Sequence, residues 1–445
     1  MNDDWSSRRL HFVGAGGAGM SGLALVSQAL GAQVTGSDRA DSPYAQRLRE
    51  HGIEPTIGHA AGNVPAGAEV VYSTAIAADN PERRAARGRE LHRAELLGEI
   101  TRLRRCIAVT GTHGKTTTAA MIVHALRGAG LDPSYLVGGE LGDTGVNAAW
   151  GTGEWVVVEA DESDRSLLKL DPDVAVLTNA ELDHHATYAS RLDLEATLSE
   201  FMHGAEHAVV WDRPALRALC PAGAVAYDAP SPVLGPGGSR FPWHGIDVLL
   251  GVPGAHNAVN AAGALEASAL AGADPAVAAA TLADFRGARR RFERMGDTAS
   301  GAVVYDDYAH HPTEVAAMVA LARTLAPTRV VAVFQPHLYS RTRALAGRFG
   351  AALAGADLAV VLDVYPARER AEDFPGVSGR LIAAAAADSG GRLAWMPDFA
   401  AAEHFLRATL RAGDLCLVMG AGNVDALARA LVAAGGGRDG AASPD

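Results

Sequence analysis

The sequence predicts an α/β protein of three successive domains, each built on a mostly parallel sheet flanked by helices. Three observations carry that expectation. Short apolar runs of strand type alternate with stretches of helical spacing along nearly the whole chain. Two of the strand-to-helix turns are rich in glycine, around Gly14–Gly19 and Gly111–Gly114. A chain of 445 residues is also too long for one core, so two or three domains are expected.

Composition narrows the function classes. A formal charge of −12 argues against nucleic acid or an anionic membrane surface as the main partner. Cys106, Cys220 and Cys416 are far apart and form no CxxC pair, so neither a disulfide framework nor a zinc site is indicated. The N-terminus has no basic-then-apolar leader, and no run of about 18 apolar residues suggests membrane insertion. A soluble protein of the reducing cytoplasm is expected.

The first domain, residues 1–103, opens with LHFVGAGGAGMSGLALVSQALGAQVTGSD. This reads as strand, glycine turn, helix, strand, with Gly14, Gly16 and Gly19 in GxGxxG spacing and Gly17 inside the turn. Ser37 and Asp38 end the second strand, where a dinucleotide fold keeps its ribose-binding acid. Taken alone this predicts NAD. The same loop could instead hold another diphosphate, or its glycines could serve only close helix–strand packing. AEVVYSTAI, containing Ser73, reads as a further strand, followed by Asn80-Pro81-Glu82 and a helical stretch containing Arg93. Polar residues past strand ends are where open α/β sheets bind ligands, although a solvated loop accounts for any single one equally well.

The second domain, residues 104–297, begins with CIAVTGTHGKTTTAAMIVHALRGAG. An apolar run (Ile107 to Val109) turns through Gly111, Thr112, His113 and Gly114 into a helix marked by Ile122, Ala125, Leu126 and Ala129. Backbone N–H groups at such a helix start make a cradle for phosphate oxygens. Lys115 would reach the β- and γ-phosphates, and Thr116 or Thr117 could sit on Mg²⁺. Val109 stands where the P-loop template has its first glycine, so the match is partial; the alternative is a glycine turn before an ordinary helix. WVVVEADESD ends in Glu159, Asp161, Glu162 and Asp164, and VAVLTNAELDHHATY in Asn179, Asp183 and His184. In a parallel sheet these ends lie on the edge of the phosphate loop, where a hard cation would find its carboxylate. Most of these acids are expected to be caps and solvated charges, and His184 as a magnesium ligand does not follow from ligand preference.

Farther on, PSPVLGPGGSRFPWHG reads as an irregular connection. Asn257 and Asn260 lie near the start of a helix and suit capping or hydrogen bonding to a base. FRGARRRFER places Arg286, Arg289, Arg290, Arg291 and Arg294 together, which is either a solvated helix face or a phosphate clamp at a domain boundary. The third domain, residues 298–445, repeats strand-then-helix with polar residues at each strand exit, among them Asp306 and Asp307. The tail AAGGGRDGAASPD reads as disordered.

These pieces together resemble the Mur ligases of peptidoglycan synthesis. HFVGAGGAGMSG, GSD, STAI, NPE, RAELL, AVTGTHGKTTT, EADESD, DHHATY, PGAHNAVNA, RRRFE, DDYAHHPTEV, FQPHLYSRT, DVYPA and GAGN occur in that family's order over nearly the whole chain. The resemblance implies an N-terminal Rossmann-like domain that binds a UDP-sugar, a central P-loop ATPase-like domain, and a C-terminal Rossmann-like domain that binds an amino acid. It also replaces the NAD reading, because the family's first glycine loop holds the UDP diphosphate.

By that resemblance Gly14, Gly16, Gly17, Gly19, Ser37, Asp38, Ser73 and Arg93 serve the UDP-sugar. Gly111, Thr112, His113, Gly114, Lys115, Thr116, Thr117, Asn257, Asn260, Arg291 and Asp307 serve ATP. Thr116, Glu159 and His184 hold Mg²⁺, and His337, Tyr339 and Arg380 meet the amino acid. Lys115, Glu159, His184 and Arg291 are the catalytic set. Leu338 stands where many relatives carry Arg, and the stretch between Asp212 and Asn257 is shorter than usual. The implied reaction is ATP-dependent ligation of L-alanine to the carboxylate of UDP-N-acetylmuramate through an acyl phosphate, by a monomer or weak homodimer. Alternatives are a ligase that recycles a preformed murein peptide, a non-catalytic nucleotide-binding regulator, and the NAD oxidoreductase suggested by Gly14 to Asp38.

Overall fold

The computed structural model describes residues 4–183 and 187–433. His184 and the tail from Ala434 lie outside the described residues. Among the described residues three large open sheets follow one another, with a small three-stranded sheet between the second and the third. The first has five parallel strands in the order Thr56–Ile57, Gln33–Asp38, Arg9–Val13, Glu69–Tyr72 and Glu90–His92. Strand order reverses on either side of Arg9–Val13, so the glycine turn that follows Val13 opens at the topological switch point, where such sheets bind ligands. Helix Ala18–Ala29 leaves that turn and buries every residue from Met20 to Ser27.

The second sheet has seven strands. Arg105–Thr110 lies at its middle, parallel to Val174–Leu177 on one side and Trp155–Glu159 on the other. Cys106 and Ala108 pack into one core cluster, Ile107 and Val109 into another. A strand covered on both faces reads as an unbroken apolar run, which explains why these strands stand out in the sequence without alternation. Helix Lys115–Gly128 packs against Ala255–Leu270 through small residues such as Ala119, Ala261 and Ala264, all fully buried.

The third sheet has six strands in the order Glu293–Asp297, Val303–Asp307, Asp414–Met419, Arg329–Phe334, Leu358–Val361 and Leu393–Trp395. Its first strand is antiparallel to the second and the others are parallel. Residues 293–297, counted with the central domain on the sequence, thus hydrogen-bond into the C-terminal sheet. Helix Gly379–Asp388 starts hard against this sheet, where a Cβ on Gly379 would overlap the carbonyl oxygen of Leu362. Gly379→Ala is therefore expected to destabilise the C-terminal sheet by about 1–3 kcal/mol, read as a lowered urea midpoint. Contacts divide the chain into two compact units, one running up to Ala288 and the other from Arg289 onward, with the turn 234–238 grouped with the latter.

Two local expectations are corrected. The stretch read as an irregular connection contains an antiparallel hairpin, Gly238–Trp243 with Ile246–Leu250. Ser239, Phe241 and Trp243 point inward and alternate with exposed Arg240 and Pro242, a period of two hidden among Pro and Gly. His244 and Gly245 turn the hairpin with φ of 47° and 79°, the left-handed pair that a two-residue turn of this kind requires. The arginine run is not a helix face either. Arg290 and Phe292 both have positive φ, and the chain passes from loop directly into strand Glu293–Asp297.

Candidate active site

In the first unit, strand Arg105–Thr110 ends in Gly111 (φ 121°), and Gly114 (φ 80°) starts helix Lys115–Gly128. Gly114 has no side chain with which to cap that helix, so the first-turn amides keep their partial positive charge for an anion. The loop is held from the neighbouring strand exit. Thr178 Oγ1 donates to the carbonyl oxygens of Thr110 (3.0 Å) and His113 (2.6 Å), and Asn179 accepts from His113 N–H at 2.9 Å. Thr112 Oγ1 donates to the Glu181 carbonyl at 2.8 Å and accepts from its N–H at 2.9 Å. Asn260 of the packed helix closes the other side, because a Cβ on Gly114 would lie 2.8 Å from its Oδ1. Asn257, one turn earlier, donates to the Pro253 carbonyl and so faces its own loop.

Lys115 Nζ donates to the Gly111 carbonyl at 2.6 Å and to Glu162 Oε2 at 2.8 Å. Burial alone would lower its pKa, but Glu162, with Asp161 and Glu159, outweighs burial and raises it, so the ammonium stays charged. Glu159 stands opposite Val109 in the sheet register and accepts from Gly138 N–H. Thr116 and Thr117 are buried in the first helical turn. Hydroxyl and carboxylate oxygens beside a lysine form a hard donor set that suits Mg²⁺ with ATP. Among the described residues, therefore, Gly111, Thr112, His113, Gly114, Lys115, Thr116, Thr117, Glu159 and Asn260 come together around one loop. Sequence reasoning missed the pairing of Glu162 with Lys115 and the clamp from Thr178 and Glu181. Glu162 was visible only as one of several strand-exit acids.

The first glycine loop is organised differently. The Ser37 carbonyl accepts the N–H groups of Gly14 (2.8 Å) and Ala15 (2.9 Å), and Asp38 Oδ2 accepts that of Gly16 at 2.8 Å. Those three amides are occupied. Gly17 begins helix Ala18–Ala29 without a side-chain cap, so the amides of that first turn are the ones in a position to receive an anion. Asp38 also accepts from Ala40 N–H at 3.3 Å, so its carboxylate holds its own loop. The Ser37 side chain is fully buried beneath the loop. Ser73, by contrast, is partly exposed just past strand Glu69–Tyr72.

Side chains tie this loop to the central sheet. Arg93 Nη2 lies 3.1 Å from Asp161 and 3.5 Å from Asp164, and a Cβ on Gly19 would sit 3.4 Å from Arg93 Nη1. Thr74 donates to Asp164 at 3.0 Å. Arg47 pairs with Glu140 at 3.1 Å and donates to the Gly145 carbonyl, while Asn147 Nδ2 donates to Ala18 O at 2.8 Å.

In the second unit, Asp307 accepts from Phe292 N–H and Ala309 N–H, each at 2.7 Å. Burial pushes its carboxyl up to about 7 against the pull of Arg291 and those two amides. Arg290, not singled out from its run on the sequence, anchors the strand exit: Nε pairs with Asp306 at 3.0 Å, and the other nitrogens donate to the carbonyls of Gly422 (3.0 Å) and Gly420 (2.7 Å). Arg291 lies over the Tyr308 ring at 5.2 Å. His337 stacks on Tyr365, with ring centroids 5.7 Å apart, and Arg341 Nη1 is 3.2 Å from its Nδ1. Tyr339 stacks on Phe374 at 5.9 Å. Arg380 is exposed in the first turn of helix Gly379–Asp388.

Comparison with known proteins matches three successive family descriptions. They are the Mur ligase family catalytic domain over residues 9–105, the Mur ligase middle domain over 109–226, and the Mur ligase glutamate ligase domain over 290–422. A UDP-N-acetylmuramate–L-alanine ligase of Rubrobacter xylanophilus is 44% identical, covering 96% of this chain and 99% of its own. One from Kineococcus radiotolerans is 46% identical, covering 94% of each. Among solved structures, the UDP-N-acetylmuramate–alanine ligase of Thermotoga maritima superposes with a TM-score of 0.82 at 28% identity, over 95% of this chain and 98% of its own. A murein peptide ligase of Psychrobacter arcticus, at 23% identity and a TM-score of 0.72 over 97% and 99%, shares the fold.

Proposed function

The chain belongs to the Mur ligase family, and from that premise we propose that it joins L-alanine to the carboxylate of UDP-N-acetylmuramate while converting ATP to ADP and phosphate. The observation that carries this reading is the charged Lys115 on an uncapped glycine loop, ringed by the strand-exit carboxylates Glu159, Asp161 and Glu162. A site with those charges suits a polyanion accompanied by a divalent cation.

The chemistry follows from what water forbids. A carboxylate and an ammonium do not condense, so the muramoyl carboxylate first attacks the γ-phosphorus. The bond from that phosphorus to the bridging oxygen breaks, ADP leaves, and an acyl phosphate forms. The alanine amine then attacks the acyl carbon, loses a proton and expels phosphate. The loop amides and Lys115 position and neutralise the triphosphate. Thr116 or Thr117 and Glu159 would hold Mg²⁺, which supplies further charge neutralisation when bound. Arg291 and Asp307 are assigned to ATP, and His337, Tyr339 and Arg380 to the amino acid. The UDP diphosphate is assigned to the first turn of helix Ala18–Ala29, with Ser73 and Arg93 beside it. Among the described residues no helix is long and apolar enough to cross a membrane. Three free, buried cysteines suit a reducing cytoplasm.

Phosphate release with ATP, Mg²⁺ and UDP-N-acetylmuramate tests the reading, run separately with L-alanine, L-serine, glycine, D-glutamate and L-alanyl-γ-D-glutamyl-diaminopimelate. Release that depends on L-alanine, with UDP-N-acetylmuramoyl-L-alanine found by mass spectrometry, is the expected outcome. Release with the tripeptide alone would make the protein a recycling ligase. ATP binding without turnover for any acceptor would make it a regulator.

A further inference from the structure

Beneath the first glycine loop lies a buried carboxylate that neither site uses. Glu82 is fully buried, yet polar groups from two strands and from the segment after a third converge on it. Asn80 and Pro81 place it there: Asn80 Oδ1 accepts Glu82 N–H at 2.9 Å, and Pro81 starts the short helix Pro81–Ala85. From that point its side chain turns inward. Ser37 Oγ donates to Glu82 Oε2, and His11 Nε2 and His59 Nδ1 each lie 3.4 Å from the same oxygen. Oε1 accepts from Ala60 N–H at 3.2 Å and from Asn63 Nδ2 at 2.5 Å. The donors come from the first strand, the end of the second, and the segment after the third.

A carboxylate withdrawn from water is tolerated only when its lone pairs are filled, and here they are. Burial alone would raise its pKa, but hydrogen bonds from His11, Ser37, Asn63 and Ala60 prevail and hold it at about 2. The donors around it thus favour the ionised carboxylate. Its placement gives it reach. Ser37, whose hydroxyl Glu82 grips, is the residue whose carbonyl receives Gly14 and Ala15, and its neighbour Asp38 receives Gly16. The turn has little room to move otherwise. A Cβ on Gly36 would lie 2.8 Å from Ala15 Cβ, and one on Gly16 would lie 2.7 Å from Ser42 Oγ.

We propose that Glu82 is a positioning residue for the UDP-sugar: it fixes the Ser37–Asp38 peptide behind the glycine turn and so aims the first-turn amides of helix Ala18–Ala29 at the diphosphate. The inference rests on the UDP-sugar reading of that loop. Glu82 touches no substrate and acts only through Ser37. A glutamine in its place keeps the shape but turns an NH₂ group toward at least one of the donors, so the peptide behind the loop shifts while the sheet stays intact.

The test uses UDP alone as the first probe, by calorimetry on the full chain, followed by steady-state kinetics. Glu82→Gln is expected to weaken UDP binding and to raise the KM for UDP-N-acetylmuramate, each about tenfold. The KM values for ATP and L-alanine and kcat should stay within about twofold. Asn63→Ala, which removes one donor to Glu82 at a residue assigned to no ligand, should give a smaller shift in the same two quantities and decides the matter if the glutamine variant does not fold. Unchanged UDP affinity in a folded variant overturns the inference. So does a parallel loss in kcat and all KM values, which would mark general loosening. Failure of the unmodified protein to bind UDP would instead sink the UDP-sugar reading, and the inference with it.

Discussion

Lys115→Met is expected to lower turnover at least about a hundredfold, because one preorganised charge aimed at a transferring phosphoryl group is worth about 3 kcal/mol. The structure adds a second effect. Glu162 is 1% exposed and lies 2.8 Å from the Lys115 ammonium, so the substitution removes the cation from a buried carboxylate. Breaking such a pair typically costs about 3–5 kcal/mol of stability. The two effects separate in the double variant. Lys115→Met with Glu162→Gln should recover most of the urea midpoint while turnover remains at the level of the single variant. If stability and turnover return together, Lys115 is a structural residue and the phosphate-loop assignment fails.

Gly111→Ala should be almost as severe for a different reason. Gly111 has φ of 121°, outside the range that a residue with a Cβ adopts comfortably. The added carbon would overlap Thr178 Oγ1 and lie 2.8 Å from the Asn179 carbonyl, so it strikes the clamp that holds the loop. Backbone strain of about 1–2 kcal/mol and overpacking of about 1–3 kcal/mol act together. Turnover is expected to fall about a hundredfold as the loop moves off the triphosphate, since misplacement of about 1 Å costs that much. Near-normal activity in this variant would mean that the loop amides do not contact phosphate. Ala substitution at Gly130, which also has positive φ but no atom within 4 Å of a built Cβ, provides the control for strain alone.

How far the sequence speaks depends on whether a feature is local. The strand–glycine–helix units around Gly14 and Gly111 are legible because their geometry is written in consecutive residues. The same holds for the acids at the strand exits, since strand ends follow from apolar runs. What stays hidden is decided by register between segments distant in the chain. Thr178 reaches the phosphate loop because Leu177 pairs with Thr110 in the sheet. Glu82 becomes a hub only when His11, Ser37 and the segment from His59 to Asn63 are brought together by the sheet. The arginine run shows the limit within one motif. Composition suggests a helix face, but positive φ at Arg290 and Phe292 splits the run, sending Arg290 to Asp306 and Gly420 while Arg291 packs on Tyr308. The hairpin at 239–250 was masked because Pro and Gly dilute an alternation carried by only a few inward residues.

The side-chain ties between the first two sheets have one more implication. Arg47 with Glu140, Asn147 with Ala18, and Arg93 with Asp161 join the two sheets at several points, and both lie in a single compact unit. The helix starts at Ala18 and Lys115 are therefore held at a set spacing before any ligand arrives. On the proposed function such a unit would act as a ruler, favouring a substrate whose diphosphate and carboxylate are separated by the right length of sugar, with less ordering left to be done on binding. Selection of the UDP-linked muramoyl group over shorter anions would then be a property of distance as much as of hydrogen bonding.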